Sequence, residues 1–587
     1  MSRRISSAFS QPLDWESPPL VPTKCQTAPK DARIVIIGSG ISGLIAARSL
    51  MKAGYSHLIV LEAKNRIGGR IHTQQFTTQT GIKYINDLGA AWVHGINDDD
   101  DDDDDECNPI LDYIEIKEVN VISEKNPWMH PDSVNPICVF VGGRRASDWC
   151  YNNGLKQYNL IFYAVSIICK SAYTLQQGSE LPSISLRNAL SIIRNSGLKE
   201  LGLISVKDLD AESRAIVRFF IFLSECWMGG GIGEVQVEEF GDMHENGWCE
   251  LSDEPGYKEW KRVKGRNKPK LYGDFRGGHG TVKGGMGRVL EGVLEGGVKE
   301  KVFLEKVVER VEWGEEGVVI GTKDGDTFKA DLVINTLPLG VLKAGTVKFN
   351  PQLPHWKTES FKNLKMGTYK KVTLEFESIF WPIDEPLIGL VRITSPLKTK
   401  LETNRVINIG DKLILDNLWA KDGVPVLEAV LVAEGGQKCW GKGDREIIDC
   451  VLELMRMNMN LSLKFSKLIS GHVTRWEEDP HTLGAYSHFG LNATSRSISG
   501  LRKRIGKGKK GIIWAGEATN EEYQGSVHGA IISGREAARE CLGLLEGGDF
   551  IGDYDDVDER RFWGEGEGNS DGDVKIEDEE GKDVDEL

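Results

Sequence analysis

The first clear hydrophobic pattern along the chain begins near residue 32. An unbroken apolar run, IVII, follows Arg33 and ends at Ile37, and the residues that follow it to Gly54 repeat apolar positions at helical spacing. A second apolar run, HLIVLEA, occupies residues 57–63. This order predicts a buried strand, a turn, a helix and a second buried strand, which together form a β-α-β unit.

Later segments alternate between helical and strand-like patterns. The segments FYAVSIICKSAYTL (162–175) and ESRAIVRFFIFLSECW (212–227) are typical of helices, whereas residues 303–338 alternate like a β-meander and end in an apolar strand. Residues 471–545 return to strand, turn and helix. The pattern predicts two units threaded through each other, and it contains no apolar stretch of about 18 residues that would span a membrane.

Length and charge refine this picture. A chain of 587 residues exceeds the roughly 250–300 residues at which a single core stops growing. The net charge of −16 is concentrated in Asp98–Glu106, which carries −9, and in residues 549–587, which carry −13, so the remainder carries +6. We expect both acidic segments to be solvated and disordered, the first as a surface insertion, and the overall acidity is therefore no argument for a cationic substrate.

The ten cysteines are scattered without CxxC pairs or metal-ligand spacing. This distribution is typical of free thiols in a reducing compartment, and we expect neither disulfides nor a metal site. The first residues, MSRRISSAFSQPLDWESPPL, lack the apolar region of a secretory signal. We expect a cytoplasmic monomer with neither nucleic acid nor membrane as a partner.

The most specific motif directly follows the first strand. Gly38 allows a tight turn, Gly40 lets a pyrophosphate approach the backbone, and Gly43 permits close packing of helix on strand. The helix that begins here supplies the positive end of its dipole, and Glu62 ends the next strand, where it would bind ribose hydroxyls. Strand, helix and acid in register predict a dinucleotide site.

A second feature is the carboxylate at the end of a later apolar strand. The segment KGIIWAGEATNEEYQGSVHGA (510–530) runs from a strand into Gly516 and then Glu517. Burying an unpaired charge is costly, so Glu517 must accept hydrogen bonds. It is predicted either to bind a cofactor or to cap the helix that follows.

Four segments identify a family resemblance. They are AKNRIGGRIHT (63–73), DLGAAWVHG (87–95), NTLPLGVLK (335–343) and the WAGEAT…GSVHGA segment (514–530). Through these segments the chain resembles the flavin-containing amine oxidases, and the resemblance extends from about residue 32 to residue 545. Within that family it resembles the plant cytosolic polyamine oxidases that act on spermine and thermospermine. The resemblance implies FAD, since a glycine pair with an arginine can hold further phosphate and the flavin edge.

The resemblance also implies a fold. It is an α/β architecture in which a discontinuous Rossmann-type FAD-binding domain is interleaved with an α+β substrate-binding domain, built on a mixed sheet flanked by helices. We expect a flexible arm at 1–30, the FAD-binding domain at 31–97, 280–345 and 471–545, and the substrate-binding domain at 107–279 and 346–470. The acidic insertion at 98–106 and an acidic tail at 546–587 complete the chain.

Cofactor contacts carried over from the family fall in five segments. They are Gly38, Gly40, Ser42, Gly43 and Glu62, then Arg70, then Gly89, Ala90, Ala91 and Trp92, then the Val307 backbone at the adenine, and finally Glu517 with Gly525, Ser526 and Val527. Glu517 would bind the ribityl or pyrophosphate portion of FAD, and Gly525 to Val527 would lie beside the isoalloxazine ring. Trp476 either packs beside the flavin or belongs to the core. Ala485 stands where membrane-bound monoamine oxidases carry the cysteine that bonds FAD, so we expect non-covalent FAD.

Substrate-site residues follow from the same resemblance. By pattern alone Lys371 is an edge-strand lysine facing solvent, but the family places a lysine here that reaches flavin N5 through a water. Lys370 would point to the opposite face of the strand. Tyr369, Tyr486 and Tyr523 would line the substrate tunnel with aromatic faces, His94 would either bind a substrate nitrogen or be structural, and Glu225 is assigned to a distal ammonium group.

The implied reaction is oxidation of a secondary amine in a linear polyamine. A hydride passes from the carbon beside the nitrogen to the flavin, water hydrolyses the resulting iminium, and O2 as the electron acceptor gives H2O2. Two alternatives remain open. Histone lysine demethylases of this family carry an N-terminal helical domain and a long helical insertion, neither of which we identify, and amino-acid oxidases need an arginine clamp for a carboxylate.

Overall fold

In the computed structural model of the protein, the described residues are 31–96, 108–123, 137–175, 185–196, 208–235, 278–393, 409–459, 465–493 and 495–547. The predicted arm at 1–30 and acidic insertion at 98–106 lie outside these residues, as does the predicted tail from residue 548 onward.

A six-stranded sheet collects strands from three distant parts of the chain. Its strands are β1 (Ile34–Ile37), β2 (Leu58–Leu61), β10 (Val302–Phe303), β14 (Leu332–Asn335), β23 (Ile505–Lys507) and β24 (Lys510–Trp514). The spatial order is β10-β2-β1-β14-β24-β23, parallel throughout except for the β23–β24 pair. Parallel strands are covered on both faces, which explains why every residue of β1 is apolar and buried.

A seven-stranded sheet forms the centre of the second unit. Its strands are β7 (Ile137–Val141), β8 (Arg144–Arg145), β17 (Tyr369–Phe376), β18 (Leu387–Val391), β19 (Lys412–Asn417), β20 (Val426–Val432) and β21 (Leu468–Val473). The order is β21-β17-β20-β19-β18-β7-β8, with β18 and β7 parallel and the other pairs antiparallel. The sheet is therefore mixed.

Four smaller sheets complete the strands. The meander β11 (Val308–Gly314), β12 (Gly317–Thr322) and β13 (Thr327–Ala330) also pairs with β15 (Lys348–Asn350). The others join β3 (Thr73–Thr77) to β4 (Lys83–Asp87), β16 (Leu364–Met366) to β22 (Ser487–Phe489), and β9 (Gly278–Val282) to both β5 (Trp92–Ile96) and β6 (Val119–Ser123). The meander predicted for residues 303–338, with its apolar final strand, is confirmed.

The described helices pack against these sheets. They are α1 (Ile41–Lys52), α2 (Asp148–Leu175), α3 (Leu186–Ser196), α4 (Ala211–Met228), α5 (Gly287–Leu294), α6 (Leu339–Ala344), α7 (His355–Asn363), α8 (Leu418–Asp422), α9 (Ala433–Gln437), α10 (Asp444–Asn458), α11 (Ser495–Arg502) and α12 (Val527–Glu546). Among the described residues, no helix is long and apolar enough to cross a membrane.

Local sequence explains where the two helices that border the site begin and end. The Asp210 carboxylate accepts hydrogen bonds from the backbone of Glu212 and Ser213 at the start of α4, and the Ser526 hydroxyl accepts one from Gly529 at the start of α12. Gly229 and Gly547 end these helices in the left-handed conformation. Their positions are thus determined by short-range interactions.

Each large sheet has a hydrophobic core on both faces. Ile34 and Ile36 pack with α1 and α12, whereas Val35 and Ile37 pack with the meander. In the seven-stranded sheet, Ile137 and Val139 face helices α2 to α4, and the alternate residues face α10. The predicted α/β fold class, with its discontinuous Rossmann-type unit and helix-flanked mixed sheet, is confirmed; the residue boundaries of the domains stay predictions.

The close contact between α1 and α12 generates a test. A Cβ atom at Gly534 would overlap the Ser42 carbonyl oxygen on α1. We therefore expect Gly534→Ala to lower the free energy of unfolding by about 1–3 kcal/mol, measured as a lower melting temperature. Gly314→Ala, where a Cβ meets no atom within 4 Å, is the control, and equal melting temperatures for the two variants would contradict the packing argument.

Candidate active site

A cavity of about 940 Å³ extends from the N-terminus of α1 to strand β17. Its walls come from the glycine turn after β1, the ends of β2, β14 and β24, the loop after β21 and the last turns of α4. Ligand sites in open α/β folds lie outside the carboxyl ends of parallel strands. The cavity begins at such a place and continues into the second unit.

The glycine turn leaves room at the N-terminus of α1. Gly38 has a φ of 103°, which favours glycine, and leads into Gly40, the extended residue before the helix. Gly40 lines the cavity, and a Cβ placed on it would meet no atom within 4 Å. The helix end is therefore accessible to an anion through its free backbone N–H groups.

Two polar side chains next to this turn suit a dinucleotide. Ser42, on the first turn of α1, lines the cavity, and its buried hydroxyl has no hydrogen-bond partner in the structure. Glu62, at the end of β2, accepts hydrogen bonds from the Ser39 backbone N–H at 2.8 Å and the Ser39 hydroxyl at 2.7 Å, and it also lines the cavity. An unpartnered donor, an acid and an open helix N-terminus fit the phosphate and ribose groups of FAD.

Glu517 is the centre of a hydrogen-bond network made by protein donors. Its carboxylate pairs with Arg70 Nη1 at 2.7 Å and accepts hydrogen bonds from the Ser487 hydroxyl at 2.5 Å and the Gly525 N–H at 3.0 Å. Arg70 also donates to the Ala485 carbonyl at 3.0 Å. The buried charge is thus satisfied without a cofactor, and because both Arg70 and Glu517 line the cavity, their contact with FAD stays a prediction.

The two adjacent lysines of β17 lie on opposite faces of the sheet. Lys370 is fully buried and pairs with Glu477 at 3.0 Å. Lys371 lines the cavity, donates to the Asp87 carbonyl at 2.6 Å and pairs with Glu428 at 3.0 Å. Because β17 is an interior strand, the solvent-facing edge position that the pattern alone suggested for Lys371 is wrong.

The charge of Lys371 is set by its surroundings. Burial alone lowers the pKa of the ammonium group, but the charges of Glu428, Asp416 and Asp87 outweigh burial, and the pKa lies above its ordinary value. Lys371 is therefore a hydrogen-bond donor at neutral pH.

Aromatic side chains surround the cavity near Lys371. The rings of Tyr369 and Tyr486 are 5.9 Å apart between centroids, and the Tyr486 hydroxyl donates to the Cys226 carbonyl in α4. Tyr523 packs edge-on against His528 at 5.0 Å. Burial raises the pKa of Tyr369 and of Tyr486 well above the ordinary value, so both phenols stay neutral.

His94 belongs to a group of histidines that the sequence analysis did not find. Its Nδ1 lies 3.0 Å from Nδ1 of His279 on β9, and its ring packs edge-on against Trp227 at 4.9 Å. His279 and His528 line the same cavity. Burial lowers the pKa of His94 to about 4 and that of His528 to about 3, so both imidazoles are neutral near pH 7.

The three cavity histidines share a feature of the sequence that could have identified them. His94, His279 and His528 are the histidines of the chain that are followed directly by glycine. In two of these positions a side chain on the following residue would clash: a Cβ at Gly280 would overlap the Asn120 carbonyl, and one at Gly529 the Tyr523 carbonyl. Each histidine is thus next to a point of close backbone packing, which periodicity analysis does not detect.

Two predicted site residues lie outside the cavity. Glu225 accepts a hydrogen bond from the Ile232 N–H at 3.0 Å in the loop after α4, while its neighbours Cys226 and Trp227 line the cavity. Glu225 is therefore not part of the cavity lining, and its assignment to an ammonium group stays a prediction. Gly43 is also absent from the lining; a Cβ there would overlap the Gly38 carbonyl, which agrees with a role in helix–strand packing, and its contact with FAD stays a prediction.

The other predicted site residues all line this one cavity. Those not yet placed are the backbone from Gly89 to Trp92, Val307, Trp476 and the segment from Gly525 to Val527. Trp476 donates from its indole N–H to the Leu88 carbonyl at 2.9 Å. The arrangement combines a nucleotide-binding end with an aromatic end that holds one buried ammonium group, and the individual roles stay predictions.

Comparison with known proteins places the chain in a family. The family model described as flavin containing amine oxidoreductase matches residues 41–542. Polyamine oxidase 4 of Oryza sativa subsp. japonica is 26% identical over 89% of this chain and 90% of that protein. Lysine-specific histone demethylase 1 homolog 3 of Arabidopsis thaliana is 27% identical over 95% of this chain, which spans 32% of that protein's length.

A solved structure is similar in fold. It is a putrescine oxidase double mutant from a redesign of cofactor binding, with a TM-score of 0.58, 18% identity, and coverage of 87% of this chain and 99% of that one. At this identity the similarity shows the fold alone.

The open space at Gly40 generates a test of cofactor binding. Gly40→Ala is expected to weaken FAD binding at least about tenfold, or about 1.4 kcal/mol, because the methyl group would occupy space beside the helix N-terminus. Titration of the apoprotein with FAD, followed by flavin fluorescence, measures the dissociation constant.

A matched control exists at the start of α10. Gly443 is also an extended residue before a helix with no atom within 4 Å of a Cβ, and it does not line the cavity. Gly443→Ala should leave FAD affinity unchanged. Equal FAD affinity in the two variants would show that α1 does not bind the cofactor.

Proposed function

Because this chain belongs to the flavin-containing amine oxidoreductases and is an FAD-dependent amine oxidase, we propose that it oxidises a secondary amine of spermine-like or thermospermine-like polyamines. The products would be an imine, hydrolysed by water to an aldehyde and a shorter amine, and H2O2 from O2. Non-covalent FAD and a cytoplasmic location belong to the same proposal. The observation that carries it is the aromatic, largely uncharged end of the cavity around Tyr369, Tyr486 and Lys371.

The cofactor would supply the redox chemistry, since FAD accepts a hydride from the carbon beside the amine nitrogen. The residues that would hold it are the Gly38–Gly40 turn, Ser42, Glu62, Arg70 and Glu517. The chain's remaining task is to orient the amine and control its protonation.

Protonation of the reacting nitrogen is the main electrostatic problem. Only the neutral amine has the lone pair that drives hydride loss, whereas polyamine nitrogens are largely protonated in water. The neutral imidazoles of His94 and His528 place no positive charge against the substrate and can accept its N–H groups. The tyrosine faces attract the nitrogens that stay charged, by about 0.5–2 kcal/mol each.

A distal ammonium group requires a carboxylate in the cavity, and Glu225 does not line it. Glu522 precedes Tyr523 and lines the same cavity. We assign it this role in place of Glu225.

The demethylase-like alternative has one observation in its favour, since the Arabidopsis demethylase homologue matches 95% of the chain at 27% identity. This chain spans 90% of the length of rice polyamine oxidase 4 and 32% of the length of the demethylase homologue.

Anaerobic mixing distinguishes the two substrates. The purified holoprotein is mixed with spermine, thermospermine, an N-acetylated polyamine or a methylated histone peptide, and flavin absorbance is followed near 450 nm, where oxidised flavin absorbs. We expect bleaching by spermine or thermospermine and none by the peptide. If no polyamine bleaches the flavin, the proposed function is wrong; bleaching by the peptide alone would favour the demethylase.

Lys371 provides a second test. Lys371→Met is expected to slow flavin reduction or reoxidation on the order of 10²-fold, with FAD still bound, because it removes the buried donor beside the cavity. Stopped-flow absorbance measures both steps separately. Lys370→Met is the control, since Lys370 faces Glu477 away from the cavity, and an equal loss in that variant would contradict the assignment.

A further inference from the structure

Two carboxyl groups on the neighbouring strands interact electrostatically with Lys371, and the catalytic proposal does not use them. We call Glu428 on β20 and Asp416 on β19 the carboxyl pair. Glu428 Oε1 lies 3.0 Å from Lys371 Nζ, and Glu428 Oε2 accepts hydrogen bonds from Asn86 Nδ2 at 2.7 Å and the Thr373 hydroxyl at 3.0 Å. Neither carboxyl group lines the cavity, so the pair acts through Lys371.

Sheet register brings the pair together. Thr373 is directly opposite Glu428, and Glu428 is directly opposite Asp416 across the neighbouring strand. Opposed side chains in a sheet have Cβ atoms about 4.5–5.5 Å apart, and like charges at such positions repel. Lys371, two residues before Thr373, shares its face. The ammonium group of Lys371 is therefore the counter-charge for the two carboxyl groups of the pair.

Other titratable groups interact with this cluster from every element packed on it. They are Asp87 and Tyr84 on β4, Lys421 on α8, His472 on β21, Tyr369 on β17 and Cys226 on α4. Lys421 is the second cation that lowers the pKa of Asp416, but its effect is smaller than that of Lys371. Even when these groups are included, the cluster contains more carboxyl groups than cationic groups.

A buried excess of negative charge is avoided by retaining a proton. Burial first, and then repulsion from Glu428, raises the pKa of Asp416 to about 7. Glu428 has three donors, which are Lys371 Nζ, Asn86 Nδ2 and the Thr373 hydroxyl. Asp416 therefore holds this proton, which it exchanges with solvent near neutral pH. The exchange moves a proton only and involves no redox step.

We propose that Glu428 is a positioning residue that keeps Lys371 charged at the cavity wall, and that Asp416 is a proton-holding site that makes the charge beside the flavin depend on pH. The proposal rests on the role proposed for Lys371, but it is tested below by measurements that need no amine substrate.

The first test measures the flavin itself. The absorption spectrum of the oxidised holoprotein is recorded from about pH 5.5 to 9, and we expect a spectral transition near the pKa of Asp416, about 7. Asp416→Asn should abolish this transition. Glu428→Gln should move it down by at least about one pH unit, because a neighbouring negative charge is removed.

Glu375→Gln is the matched control. Glu375 is a buried carboxylate on the same strand as Lys371 and accepts hydrogen bonds from the Gln79 N–H at 2.6 Å and the Ser470 hydroxyl at 2.8 Å, without an ion pair to Lys371. This variant should keep the wild-type transition. A transition that is unchanged in both Asp416→Asn and Glu428→Gln would overturn the proposal.

The second test measures stability against pH and does not depend on FAD. The folded-state pKa of Asp416 is above its unfolded value, so the stability it contributes is present below about pH 4 and is lost as pH rises through about 7. The melting temperature of Asp416→Asn relative to wild type should therefore be higher at pH 8 than at pH 5. A difference that stays constant with pH would also overturn the proposal.

Kinetics separate this inference from the proposed function. The flavin is reduced photochemically, and its reoxidation by O2 is followed at several pH values in each variant. The wild-type rate should change near pH 7, and this change should be lost in Asp416→Asn and kept in Glu375→Gln. These results remain interpretable if no polyamine reduces the flavin, and a rate with the same pH profile in all three proteins would count against the proposal.

Discussion

The carboxylate of Glu517 is the interaction on which the site depends. It joins Arg70, which is 447 residues away along the chain, to Ser487 at the start of β22 and to the Gly525 N–H just before α12. A buried charge requires such partners, and removing one of them leaves the carboxylate incompletely satisfied. One side chain therefore holds the loop of Arg70, a strand and a helix start in the positions from which they line the cavity.

Paired and neutral groups divide the cavity into two electrostatic environments. At the α1 end, free backbone N–H groups and the Ser42 hydroxyl are oriented for an anion. Near β17 the buried imidazoles and phenols are neutral, and Lys371 is charged because Glu428 compensates it. A dinucleotide and an amine thus meet suitable surroundings in the same space, which is what an amine-oxidising flavoenzyme requires.

Sequence reasoning succeeded where a motif implies its own geometry. The strand–glycine–helix segment can form only a few structures, and so Gly38, Gly40 and Glu62 were placed correctly beside the cavity. It did not show that Glu225 lies outside the cavity lining, because the helical register near Gly229 decides which side chains of the last turn of α4 face the cavity. It missed Glu428 and Asp416 because a single residue on a strand carries no local signal for the residue it meets across the sheet, and it missed His279 because the shared His-Gly pairs form no periodic pattern.

The linear sequence alone determined the β-α-β unit, the α/β class and the family resemblance. Alternation along a strand showed that only one of the two adjacent lysines can face the site, and the resemblance selected Lys371. Only the tertiary structure decided which donors satisfy Glu517, that three histidines share one cavity wall, and that Lys371 has two carboxyl groups behind it. The physical reason is that these contacts join different elements of the chain, some of them hundreds of residues apart, as Arg70 and Glu517 are at 447 residues. Their energies depend on burial and register, which are properties of the packed chain.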